Sequence, residues 1–146
     1  MGIEGGAPNC MIRFAFYIHP EQANETDECG NYPLHIAAAN PTLKQEKSRF
    51  VINNLLQMNP GAAFVASCGS FGKRMPLTLA IVAGSKTWDT CVEAIFMCNE
   101  LAVTEKDPET GLYPFMLAAS VMKDGRGCLN TTFQLLRSFP DLNSYQ

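Results

Sequence analysis

Apolar positions along this chain fall into alternating short and long clusters, and each short cluster opens on a proline. PLHIAAA begins at Pro33, PLTLAIVA at Pro76 and PFMLAA at Pro114. Proline suits the first position of a helix, because its φ is already helical and its missing N–H would have no partner there. A large apolar residue follows at once (Leu34, Leu77, Phe115). Alanines come next: Ala37 and Ala38, Ala80, Ala118 and Ala119. Alanine costs least to become helical, and its small side chain lets a neighbouring helix come close. Short helices are therefore predicted from Pro33 through Ala39, over Met75–Val82 and over Tyr113–Val121. Helices this short are marginal alone in water, so they must be stacked. The longer clusters repeat at helical spacing. Lys47–Met58 places Val51, Leu55 and Met58 on one face, with Ile52 and Leu56 beside it. Trp88–Cys98 points Trp88, Val92, Ile95 and Phe96 inward, and Leu129–Phe139 lines up Leu129, Phe133 and Leu136.

The alternation has a period. Pro20, Pro60 and Pro140 stand on a 40-residue ladder with Glu100 on the remaining rung, and Asp27, Ser67 and Asp107 keep the same spacing. Ala23, Ala63 and Val103 do too. The prolines opening the short helices are 43 and then 38 residues apart. Turns of variable length thus precede them while the long helices stay in phase, as expected when loops absorb insertions and packed helices do not. The pattern predicts an all-α solenoid occupying residues 1–146 as a single domain. About three helix-turn-helix units span roughly 27–63, 67–103 and 107–141, behind an N-terminal half unit at 9–20.

Charge narrows the function. Fourteen acidic against 11 basic residues give a net charge of −3, and no run of Lys or Arg offers a nucleic-acid surface. No apolar stretch reaches the length of a membrane span, and no secretory signal opens the chain, so an intracellular, cytoplasmic protein is expected. Of the two histidines, His35 lies inside the repeated motif and is expected to bond the turn, and His19 abuts Pro20. Six cysteines form no Cys-x-x-Cys pair and no compact ligand set, so no metal or other cofactor is expected. Cys29 and Cys68 fall in successive turns, where they could meet. Gly69–Arg74 lacks the residues a phosphate loop needs at Ser67 and Arg74. No catalytic constellation emerges, and the chain is read as a non-enzyme.

The motif of aspartate, glycine, Pro-Leu-His-x-Ala-Ala and a second helix with paired leucines resembles the ankyrin repeat. Its first copy is Asp27, Gly30, Pro33, Leu34, His35, Ala37, Ala38, Leu55 and Leu56; the third keeps Asp107, Gly111, Pro114, Leu117, Ala118 and Ala119. Three features depart from the family: Tyr32, Met75 and Tyr113 stand where threonine is usual, the histidine survives only as His35, and the period exceeds the usual ~33 residues. The resemblance implies a protein–protein interaction module that recognises its partner through turns and short helices. Pro33, Leu34, His35, Pro76, Leu77, Pro114 and Phe115 are the structural motif residues. Asn31, Tyr32, Phe71, Lys73, Arg74, Met75, Leu112 and Tyr113 on the turns are the candidate partner-binding residues. Three alternatives accompany this reading: a regulatory or targeting fragment of a larger enzyme or signalling protein, a thiol redox sensor, and self-association through the N-terminal apolar helix.

Overall fold

A computed structural model of the chain describes residues 24–41, 45–84, 86–123 and 128–139. The half unit expected at 9–20, with its apolar helix, lies outside the described residues, as do Pro20 and Pro140. The described residues contain helices and turns and no strand. Among the described residues six α-helices form three pairs, each opening on a proline-headed helix: α1 (Pro33–Ala39), α2 (Gln45–Met58), α3 (Pro76–Ala83), α4 (Glu93–Cys98), α5 (Pro114–Lys123) and α6 (Leu129–Arg137). The second helix, expected to be the longer, is so only in the first pair.

The prolines do what their chemistry requires. Pro33 and Pro76 occupy the first helical turn behind extended cap residues Tyr32 and Met75, and Pro114 begins α5. Leu34 and Leu77 are fully buried behind them, whereas Phe115 is half-buried. Ala37, Ala80 and Ala118 hold the same place in the three short helices, and all are buried. The three helices pack in chain order, α1 on α3 and α3 on α5. The long helices follow suit: α2 lies against α1 and α4, and α6 lies against α5. Val51, Ile52, Leu55 and Leu56 fill the seam beside α2, with Val92 and Ile95 opposite. Each such large side chain contributes about 1.5–3 kcal/mol by leaving water.

Two local structures depart from the helical pattern. The long helix expected over Trp88–Cys98 opens with a π turn, Trp88–Val92, before becoming α4. The Val92 N–H reaches the Thr87 carbonyl at 3.3 Å, a five-residue closure that widens the turn. The same spacing lets the Trp88 indole N–H donate to Glu93 at 2.8 Å while its ring stays buried against Phe96. Each of the first two long helices also ends in a 3₁₀ turn, Pro60–Phe64 or Glu100–Thr104, entered through Asn59 or Asn99 in nearly the same backbone conformation. Asn99 is buried, and its amide donates to the Ala63 carbonyl of the preceding turn at 3.1 Å. The 40-residue ladder in this stretch is thus a set of equivalent turns bonded to one another.

The inner face of α6 differs from expectation. Leu129, Phe133 and Leu136 are 70%, 54% and 39% exposed, and the buried positions are Thr131 and Leu135. Both stripes have helical period, and α6 packs against α5 and the π turn through the less apolar one.

Candidate interaction surface

Asp27, Ser67 and Asp107 each open a finger whose length varies but whose closure does not. The backbone N–H of Asp27 donates to Asn31 O (2.9 Å), that of Ser67 to Arg74 O (2.7 Å) and that of Asp107 to Leu112 O (2.8 Å). The following residue caps a short helix and the next is its proline, so the two insertions sit wholly within the fingers. Side chains tie each finger internally. The Asp27 carboxylate accepts from the Cys29 and Asn31 N–H groups at 2.9 Å, and these bonds, Asn31 foremost, hold its pKa below the ordinary value. The Ser67 hydroxyl donates to Gly72 O at 2.7 Å and accepts from the Arg74 N–H at 3.1 Å.

Neighbouring fingers are joined by different chemistry at each junction. Between the first and second, the Asn31 amide clasps the Cys68 peptide, donating to its carbonyl (3.2 Å) and accepting from its N–H (2.7 Å). Between the second and third, Arg74 grips Asp107 in a two-pronged pair, Nε to Oδ1 at 2.7 Å and Nη2 to Oδ2 at 3.1 Å. Glu109 adds a contact to the same guanidinium at 3.1 Å. The hydrogen-bonded guanidinium lowers the pKa of the Asp107 carboxyl, aided by Thr110.

His35 belongs to this framework. Its Nδ1 accepts the Tyr32 N–H at 3.0 Å, which makes Nε2 the protonated nitrogen that donates to Val65 O at 2.6 Å. Both nitrogens are engaged, and burial of the ring lowers the imidazole pKa against the opposing pull of these hydrogen bonds. Both bonds are to backbone, one within its own turn and one to Val65 ahead of the second finger. Among the described residues no group of His, Cys, Asp or Glu could hold a metal ion, and no helix is long and apolar enough to cross a membrane.

The candidate binding residues separate on these facts. Asn31 is buried and spends its amide on Cys68, so it has no surface to offer. Arg74 is half-buried and committed to Asp107 and Glu109. Leu112, Tyr32 and Met75 are half-buried at the finger bases, and Tyr32 stacks on His35. Tyr113 packs edge-on against Phe139 while Lys106 stands 5.3 Å over its ring. Lys73 is exposed. Phe71, near the tip of the longest finger, is half-buried and lines two adjoining cavities of about 240 and 280 Å³.

Those cavities form a groove down the faces of α1 and α3. Ile36 and Ala39 line it from α1, Leu79 and Val82 from α3, with Pro41 at the far end and Phe71 at the finger end. Counted from the opening proline, Ile36 matches Leu79 and Ala39 matches Val82. The sequence carries that recurrence, at the third and sixth positions after Pro33 and Pro76. The fingers beside it carry mixed charge: Asp27 and Glu28 on the first, Lys73 on the second, Glu109 on the third and Glu105 and Lys106 just before it are exposed.

No family model, curated protein or solved structure matches this chain.

Proposed function

We propose that this protein is a divergent ankyrin-type solenoid that binds another protein without catalysis. The groove carries the reading: apolar positions recurring at the same places in successive short helices open between them, beside projecting fingers. Two features support the repeat assignment, the ordered packing of three proline-headed helices and the shared closure of three fingers. A partner segment would seat an apolar side chain between α1 and α3, against Phe71, and meet Lys73 and the acidic flanking fingers at its edges. The framework is hydrogen-bonded within and between fingers, so little ordering cost falls on binding. The engaged His35 nitrogens offer no general base in the motif, and among the described residues beside the groove none pairs a nucleophile with an activating group.

Proximity labelling in cells tests this, comparing wild type with Phe71→Ser/Lys73→Glu of matched thermal stability. Partners enriched by wild type and lost from the variant are expected. An identical set from both proteins would refute recognition through the second finger and its groove.

A further inference from the structure

Cys29 and Cys68 lie on facing stretches of the first and second fingers. Cys29 Sγ is 3.1 Å from where a Cβ on Gly69 would stand, and Cys68 Sγ is 3.6 Å from where one on Gly30 would stand. Each sulfur therefore sits over the glycine that follows the other cysteine, Cys29 Sγ tightly and Cys68 Sγ at ordinary van der Waals distance. The Asn31 clasp on the Cys68 peptide fixes this register with two hydrogen bonds. Both thiols are free; Cys29 is exposed and Cys68 half-buried. The remaining described cysteines are placed differently. Cys91 is buried and its thiol pushed up to about 11, and Cys98 and Cys128 lie in or beside other helices.

We infer that Cys29 and Cys68 are a redox pair that closes a disulfide between the first two fingers when it meets a small-molecule disulfide. The exposed Cys29 thiolate attacks one sulfur of the oxidant, forming a mixed disulfide and expelling one thiolate. The Cys68 thiolate then attacks Cys29 Sγ, forming the protein disulfide and expelling the second. Two electrons pass from the protein to the oxidant, and the two cysteine protons end on the two released thiols. The bond clamps the finger bearing Phe71 and Lys73 to its neighbour. Excess small thiol reverses it, so the pair reports the thiol–disulfide balance around the protein.

The test incubates the full chain with oxidised glutathione, blocks remaining thiols by alkylation, and maps peptides by mass spectrometry. A Cys29–Cys68 linked peptide is expected, at a yield roughly tenfold above that in concentrated urea, where the folded register is gone. Cys68→Ser should instead accumulate glutathione on Cys29. Four results would overturn the inference: no thiol lost, stable glutathionylation of wild-type Cys29, pairing of either residue with Cys10 or another cysteine, or an equal linked yield in urea. The Cys68→Ser arm and a urea melt of each protein separate loss of pairing from loss of folding.

Discussion

Replacing Asp107 by alanine should cost more than any other single change in the fingers. Its side chain is 0% exposed and Arg74 only 14% exposed, so the pair is largely shielded from water. Truncation leaves Nε and Nη2 of the guanidinium without their carboxylate and deprives Thr110 of both its bonds to Oδ2. Breaking a buried ion pair by removing one partner costs about 3–5 kcal/mol. Glu109 remains within reach of Arg74, and some of the guanidinium touches solvent, so the cost should be about 1 kcal/mol below that range, about 2–4 kcal/mol. Urea unfolding followed by circular dichroism measures the loss.

A double-mutant cycle with Arg74→Met isolates the pair. Residues bonded this directly should show a coupling of about 1–3 kcal/mol. The pH dependence gives an independent check. The folded-state pKa of Asp107 lies below its ordinary value, so the folded protein binds fewer protons there than the unfolded chain. Its contribution is fully present above about pH 4 and is lost as pH falls through the lowered folded pKa. Asp107→Asn should flatten that part of the stability profile. Additive single mutants, together with an unchanged acid profile, would refute the assignment of this pair as the main joint between the second and third fingers.

Protonating His35 should also destabilise the protein, in a different window. Burial depresses its pKa, so its contribution is complete above the unfolded value of about 6.5 and falls as pH drops below it. Imidazole titration by NMR, assigned with a His19→Gln variant, should place His35 below that value. Gly72 has φ +72° and ψ −173°, a region nearly restricted to glycine, so Gly72→Ala should lose about 1–3 kcal/mol. An added Cβ would also stand 2.7 Å from Glu109 Oε1. Because the backbone conformation dominates, adding Glu109→Ala should not restore the loss in urea melts. Leu129→Asn/Phe133→Gln should change stability by no more than about 0.5 kcal/mol per site while raising solubility, since both side chains are mostly exposed. A larger loss in the same melts would mean that this face of α6 is covered in solution.

Much of the helical framework was legible because each signal had a single physical reading. A proline before an apolar run can only sit at the helix start, and Leu34, Leu77, Ala37 and Ala80 are buried where the pattern put them. The 40-residue ladder likewise located Asp27, Ser67 and Asp107 at equivalent finger openings. The π turn was not legible. Trp88, Val92, Ile95 and Phe96 satisfy ordinary helical spacing, and the wider turn is visible only in the structure, in the five-residue Val92–Thr87 backbone bond and the Trp88–Glu93 bond.

The surface was harder to read, because exposure depends on partners distant in sequence. Asn31 and Arg74 look like turn residues offered to solvent. Their partners lie 37 and 33 residues away, and the contacts consume the groups that recognition would have needed. The face of α6 failed for a related reason. Leu129, Phe133 and Leu136 form the more hydrophobic stripe, but a helix in a stack has two contact faces, and its own sequence does not say which one a neighbour fills. Here α5 and the π turn take the side bearing Leu135. Fingers joined by Asn31 and Arg74 keep their spacing without help from a partner, and under the proposed binding function the groove beneath them would discriminate by shape. In such a surface the residues that hold the fingers and the residues that recognise are necessarily different ones. Loss of Asp107 should accordingly weaken binding only by loosening the frame, whereas loss of Phe71 should weaken it with the frame intact.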